Sequence, residues 1–317
     1  MSEYDYDVAV TSRSFSKNQT LRNELLARYK KVKFNDEGIN YSKEGLIEYL
    51  KKTEKAIIAL DSINDEILSH LPDLKIISKY GVGLNNIDFE SLRNNKVLLG
   101  WKGGVNKRAV AELTLGAMLS MSRNLFQQNS ELKSGVWNPL FGRNLSGKSV
   151  GIIGLGHIGK EVAKFLKMFG CDVFVYDVKD CRDFCLENGL LFVDFNTLIS
   201  NSNIITLHVP LDHSTEHMIN EKVLSTMKQD VFIINTCRGG VVSELDLLSF
   251  LDKQPHAKAF FDVFESEPAI GNKLLDLNNF ISSPHIGGTT EESVLAMGRS
   301  AIENLENAIE ANEESFR

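Results

Sequence analysis

Along the first hundred residues, short runs rich in β-branched and aromatic side chains alternate with stretches whose apolar positions recur every three or four residues. The pattern predicts strands at residues 8–11, 32–34, 56–60, 74–78 and 97–99, and helices at 18–29, 43–52 and 64–70. That rhythm builds βαβ units and a parallel sheet. Residues 102–106, carrying Gly103 and Gly104, interrupt it ahead of an Ala-, Leu- and Met-rich helix expected at 109–123. The polar segment that follows through Gly147 contains Pro139 and Gly142 and is expected to be irregular. A second series then predicts strands at 149–153, 172–176, 204–208, 231–235, 258–261 and 280–283. Helices are expected between them at 158–169, 195–200, 221–228 and 244–252, the last opened by Ser243 and Asp246 in capping-box spacing. An uninterrupted helical pattern at 291–310 leads to a polar tail, broken only by Phe316, that is expected to fray.

At 317 residues the chain is long enough for two modest domains, and 43% hydrophobic content supplies their cores. Asp plus Glu (42) exceed Lys plus Arg (35), so the net charge of -7 offers no basic excess for nucleic acid. The acidic, polar N-terminus lacks the features of a signal peptide, and no apolar run reaches the roughly 18 residues of a membrane span. Four scattered cysteines, Cys171, Cys181, Cys185 and Cys237, read as reduced thiols of a cytoplasmic protein. The seven histidines form no metal-ligand cluster in the sequence, and no metal is expected.

From Val150 the chain reads VGIIGLGHIG, which places Gly154, Gly156 and Gly159 in GxGxxG spacing between a predicted strand and a predicted helix. Gly154 permits the tight turn, Gly156 lets backbone approach a pyrophosphate and Gly159 lets helix and strand pack closely. The N–H groups of His157 and Ile158 then face the anion. The next strand ends in Asp177, where a carboxylate can accept hydrogen bonds from the ribose hydroxyls and repel a 2′-phosphate, favouring NAD over NADP.

Beyond the fingerprint, Arg238 in INTCRGG, Glu267 in DVFESEP and His285 in SPHIGG each follow a predicted strand, at the edge where open α/β sheets bind ligands. Glu265 stands two positions from Glu267, and motif register selects Glu267. Read in order, YGVGLNNID, GIIGLGHIG, LHVPL, INTCRGG, DVFESEP and SPHIGG resemble the successive motifs of the D-isomer-specific 2-hydroxyacid dehydrogenases, across nearly the whole chain. The resemblance implies that Arg238 binds the substrate's carboxylate and carbonyl, that His285 is the acid/base and that Glu267 pairs with it. The chemistry agrees. A carbonyl oxygen that gains charge as hydride arrives needs a proton, which an imidazolium supplies and a neighbouring carboxylate helps to keep charged. A planar guanidinium grips a 2-oxo acid through its fork.

Further cofactor contacts are implied by the resemblance: His208, Val209 and Pro210 beside the adenine, the backbone of Thr236 and Cys237, and Asp262 near the nicotinamide carboxamide. In the first domain the glycine-rich loop of Gly81, Val82 and Gly83 is suited to present successive N–H groups to a substrate carboxylate. Lys79 either adds a cation there or solvates the strand end. The resemblance further implies two doubly wound parallel-sheet α/β domains, with a Rossmann NAD-binding domain at 104–289 inserted into a flavodoxin-like substrate domain formed by 1–103 and 290–317. A homodimer formed through the nucleotide domain is its default assembly.

The expected activity is hydride transfer between NADH and a small 2-oxo acid, or back from the D-2-hydroxy acid. Glyoxylate, hydroxypyruvate or a sugar-derived acid fits. Common phosphoglycerate dehydrogenases carry an arginine after the third strand, where IIALDSIND here has Asp61. A short phosphoglycerate dehydrogenase without a regulatory domain is the alternative within the family. An NAD-sensing corepressor-like binding protein is the alternative of another class, disfavoured by the absence of long disordered or basic extensions.

Overall fold

The computed structural model describes residues 6–312; the expectations for the extreme N-terminus and for the tail with Phe316 fall outside the described residues. Residues 6–106 with 289–312 form one compact unit and 107–288 a second. The first unit contains strands β1 (Tyr6–Val10), β2 (Val32–Phe34), β3 (Thr53–Ile58), β4 (Ile76–Lys79) and β5 (Leu98–Gly100). Its helices are α1 (Arg13–Lys17), α2 (Gln19–Leu26), α3 (Lys43–Leu50), α4 (Asp65–Leu68) and α5 (Phe89–Asn94).

The second unit contains strands β6 (Ser149–Ile153), β7 (Asp172–Tyr176), β8 (Leu191–Phe192), β9 (Ile204–Leu207), β10 (Phe232–Asn235), β11 (Lys258–Phe261) and β12 (Phe280–Ser282). Its helices are α6 (Lys107–Ser122), α7 (Leu125–Lys133), α8 (His157–Met168), α9 (Arg182–Glu187), α10 (Phe195–Asn201), α11 (Glu221–Leu224) and α12 (Glu244–Lys253). The chain then returns to the first unit with α13 (Glu291–Asn304).

Both sheets are parallel throughout their named strands. The first runs β2-β1-β3-β4-β5, the flavodoxin-like order. The second runs β12-β11-β10-β9-β6-β7-β8, which is the Rossmann order extended by one strand. The fold class expected from the sequence is therefore the observed one. All four residues of β9 and of β10 are buried, as a sheet covered by helices on both faces requires. In each sheet the strand order reverses next to the first strand of the unit, so a crevice opens beyond the carboxyl ends of β1 and β3 in one and of β6 and β9 in the other.

Several local expectations are corrected. The segment after α6 is not irregular throughout: Leu125–Lys133 forms α7, because its breakers, Gly135 (φ 87), Pro139 and Gly142, all lie beyond it. The closing helix stops at Asn304 instead of 310, and Ile309 bridges antiparallel to Leu99 on the edge strand β5. The capping box at Ser243 is half formed. Ser243 Oγ accepts the Asp246 N–H at 3.4 Å, but the Asp246 carboxylate accepts the Glu221 N–H at 3.0 Å and so fastens α11 to α12. Among the described residues no helix is long and apolar enough to cross a membrane.

Candidate active site

The glycine loop lies at the switch point of the second sheet, between β6 and α8. Gly154 has φ 94, and a Cβ there would stand 2.5 Å from the His208 carbonyl oxygen at the end of β9, so only glycine allows the two strand ends to approach. A Cβ on Gly159 would fall 2.1 Å from the Gly154 carbonyl oxygen. Gly156 differs. It meets nothing within 4 Å, so the protein's own packing does not require a glycine, and the open space suits the close approach of a ligand. It is also the N-cap of α8 with no side chain to cap it, and His157 beside it is exposed, which is how a helix N-terminus receives an anion.

Asp177 ends β7 and lies against this loop: its Oδ2 accepts the Leu155 N–H at 2.7 Å and its Oδ1 the Lys179 N–H at 2.8 Å. Beyond β9, His208 Nε2 is 3.0 Å from Thr206 Oγ1, while Nδ1 is buried without a partner. Burial pushes this imidazole down to about 3, so it is neutral, with one buried nitrogen left unsatisfied. Val209 continues the same edge and Pro210 is exposed. Thr236 is buried with its hydroxyl 2.9 Å from Thr114 of α6. Burial pushes the Cys237 thiol up to about 11, which leaves it inert. These residues fit NAD: an open glycine corner, an uncapped helix N-terminus, a strand-end carboxylate and an orphaned buried nitrogen share one sheet edge.

Arg238, Glu267 and His285 follow three neighbouring strands, β10, β11 and β12. Asn235, fully buried at the end of β10, shapes the turn before Arg238: Oδ1 accepts the Cys237 N–H at 3.1 Å and Nδ2 donates to the Arg238 carbonyl at 2.8 Å. The next residue, Gly239, packs so tightly that a Cβ would sit 1.9 Å from the Phe264 carbonyl oxygen, bringing the Arg238 turn directly against the segment that carries Glu267. Glu267 Oε1 accepts the Phe264 N–H at 3.1 Å, and its Oε2 lies 2.7 Å from His285 Nδ1. That contact fixes the imidazole by one nitrogen and leaves Nε2 for a substrate. Glu265 is engaged elsewhere, on His217 and Glu244, so geometry separates the two glutamates that sequence register had to choose between.

His285 has φ 54, a left-handed conformation unusual for a residue with a side chain. Asp262, 1% exposed, explains how the loop holds it: its carboxylate accepts hydrogen bonds from Ser283 Oγ (2.6 Å), the Ile286 N–H (2.7 Å) and the Gly287 N–H (2.8 Å). The resemblance placed Asp262 beside the nicotinamide; the structure shows its bonds spent on the His285 loop. Neither this role nor that of Asn235 was read from the sequence. For Asn235 the signal was present, as a lone polar residue closing a buried apolar run.

In the first unit the 81–83 loop follows β4, with Gly81 at φ 128, and Trp101 Nε1 donates to the Val82 carbonyl at 3.0 Å. Lys79 does not solvate its strand end. It is 5% exposed, and its ammonium donates to the Ala59 carbonyl and, at 2.7 Å, to Asn86 Oδ1. Asp61, after β3, accepts the Thr11 hydroxyl, and Ser12, Ser14 and Tyr80 place three further hydroxyls on the same edge. Among the described residues no group of metal-binding side chains occurs.

A Rossmann-ordered sheet with a glycine loop at its switch point, beside an arginine turn and a histidine–glutamate pair, defines a dinucleotide-dependent enzyme. The family model for the D-isomer specific 2-hydroxyacid dehydrogenase NAD binding domain matches residues 115–287. A glyoxylate reductase of Thermococcus litoralis is 36% identical over 270 residues, covering 82% of each chain. A D-3-phosphoglycerate dehydrogenase of Methanocaldococcus jannaschii is 35% identical over 272 residues, 84% of this chain but 52% of its own, so the chain spans about half of that relative. The crystal structure of a D-lactate dehydrogenase from Aquifex aeolicus, complexed with NAD and lactic acid, superposes with a TM-score of 0.82 at 27% identity over 94% of both chains. The chain belongs to the D-isomer specific 2-hydroxyacid dehydrogenase family. It is thus an NAD-dependent oxidoreductase acting on 2-hydroxy acids.

Proposed function

We propose that the chain interconverts a small 2-oxo acid with an uncharged side chain, of the glyoxylate, hydroxypyruvate or sugar-acid kind, and its D-2-hydroxy acid. The observation that carries this reading is the 2.7 Å contact between Glu267 and His285 beside the Arg238 turn. NAD, when bound, supplies or receives the hydride. Gly154, Gly156, Gly159 and the N–H groups of His157 and Ile158 hold its pyrophosphate. Asp177 holds its ribose, His208, Val209 and Pro210 border the adenine, and the backbone of Thr236 and Cys237 lies along the rest. Arg238 grips the carboxylate and carbonyl of the acid through its planar fork. The 81–83 loop of the first unit is suited to present successive N–H groups to a carboxylate. In reduction His285 gives the Nε2 proton to the carbonyl oxygen, and Glu267 steadies the imidazolium before and the ring after transfer; oxidation runs the same proton back.

The preference for an uncharged tail rests on Asp61, which stands where common phosphoglycerate dehydrogenases carry an arginine for the phosphate. A carboxylate at that position supplies no cation for a phosphate. The test is steady-state reduction of a panel of 2-oxo acids with NADH and NADPH. Glyoxylate or hydroxypyruvate, or a longer hydroxylated acid, is expected to exceed phosphohydroxypyruvate in kcat/KM, and NADH to exceed NADPH because of Asp177. Preference for the phosphorylated acid would overturn the substrate reading, and bound NADH without turnover on any acid would favour a binding protein.

We also propose a homodimer formed on α7 and the segment after it. None of α7 is buried, Trp137 is 82% exposed and Phe141 101%, and only Glu131 and Lys133 carry charge from 124 to 142. With Leu125, Phe126, Leu132 and Val136 this exposes roughly 800 Å² of side chain, about one partner's share of a stable interface. A neutral aromatic patch is self-complementary, as a two-fold contact demands. Sedimentation should give about twice the 35.5 kDa chain mass, and the double variant Trp137→Ser, Phe141→Ser about one chain mass; a monomeric parent would refute this. The four cysteines, free of disulfides and with three of them buried, suit a reducing cytoplasm.

A further inference from the structure

Glu265 stands two residues before Glu267, and its carboxylate is committed to a different set of partners. Oε1 accepts the backbone N–H of Glu244, the first residue of α12, at 3.0 Å and lies 3.1 Å from His217 Nε2. In return Glu244 Oε1 accepts the Glu265 N–H at 2.7 Å, and its Oε2 accepts Asn272 Nδ2 at 2.6 Å. A carboxylate on the first amide of a helix is held by hydrogen bond and helix dipole together. His217 is itself constrained, with φ 47 and its N–H donating to the Gly240 carbonyl at 2.7 Å.

These contacts connect the proposed catalytic groups. Gly240 and Gly239 follow Arg238 directly, and a Cβ on Gly239 would lie 2.5 Å from the Glu265 nitrogen as well as 1.9 Å from the Phe264 carbonyl oxygen. The short segment from Phe264 to Glu267 is thus gripped by the N-terminus of α12, by His217 and by the Gly239 backbone. Its far end is Glu267, which meets His285. The Phe264 N–H that Glu267 Oε1 accepts belongs to the same gripped segment.

We propose that Glu265 is a positioning residue: its clasp on Glu244 and His217 sets the spacing between the Arg238 turn and Glu267, and through Glu267 the aim of His285. The proposal rests on the reading of Arg238, Glu267 and His285 as the catalytic set. Because the Glu265 and His217 side chains are 38% and 49% exposed, their pairing adds little to stability, and its value lies in geometry.

Kinetics of five variants test this, with NADH and the best acid of the panel. Glu265→Ala should lower kcat about 10- to 10²-fold, the cost of a misplacement on the order of 1 Å, while raising KM for the acid by a smaller factor and leaving Tm and NADH affinity near those of the parent. Glu265→Gln keeps an oxygen acceptor and should recover most of the kcat. In a Glu267→Gln background, Glu265→Ala should lower kcat no further, since its effect on kcat acts through the group already altered. If Glu265→Ala does not accumulate folded, Glu265→Asp, still charged but one methylene shorter, should show the same kcat loss. Parent-like kcat in Glu265→Ala or Glu265→Asp, a glutamine variant as slow as the alanine one, or fully multiplicative losses in the double variant would each overturn the clasp. Full activity of Glu267→Gln alone would instead remove the catalytic reading beneath it, so the two failures are distinguishable.

Discussion

His285→Ala is expected to lower kcat by about 10² to 10⁴-fold, the usual contribution of a positioned general acid/base, with NADH affinity little changed. The two effects separate because His285 follows β12, whereas the glycine loop and Asp177 follow β6 and β7 on the far side of the switch point. Alanine at a position with φ 54 also disturbs the loop, so the companion variant His285→Asn matters: asparagine tolerates the left-handed conformation but donates no comparable proton. Both variants should be slow. Stopped-flow reduction at saturating acid, with NADH affinity from fluorescence quenching, provides the comparison. Full activity in His285→Asn would assign the residue to loop geometry and sink the proton-transfer role.

The parts of this molecule that were legible in the sequence are those governed by local periodicity. Buried runs such as IITL and FIIN mark strands closed in by helices on both faces, and the glycine spacing after β6 has its meaning from the strand before and the helix after it. What periodicity does not encode is the choice among short polar segments. Leu125–Lys133 carries no buried residue, so no amphipathic face announced it as a helix. In the same way the helix at the end of the chain gave way to a single antiparallel bridge at Ile309 because the open edge of β5 offered backbone partners 210 residues away, information absent from either segment alone.

The candidate site shows the same division. Arg238, Glu267 and His285 were visible because each follows a strand, yet the groups that hold them are brought together only by folding. Asp262 reaches across to Ser283, Ile286 and Gly287; Asn235 folds back on its own turn; Glu265 and Glu267, near neighbours in sequence, serve different histidines. Lys79 was ambiguous for a related reason. A lysine at a strand end reads as exposed, and only the tertiary placement of Ala59 and Asn86 shows it buried on internal acceptors.

Arg238→Lys is expected to cost about 10- to 100-fold in kcat/KM, with KM for the acid raised and kcat lowered together, because charge is kept while the planar fork is lost. The size follows from removing charge-assisted hydrogen bonds worth roughly 1.5 to 3 kcal/mol, at about 1.4 kcal/mol per tenfold. A net charge of -7 repels an anionic acid at long range, so the site must overcome that field locally, and short-range geometry carries more of the recognition than net attraction does. This yields a sharper test than the loss itself. Added salt screens the long-range repulsion equally in parent and variant, since both carry one positive charge at the position. Plots of log kcat/KM against ionic strength should therefore run parallel and offset. A variant that coincides with the parent would place Arg238 outside the substrate site, and one whose slope differs would show that its charge, not its fork, is what the acid feels.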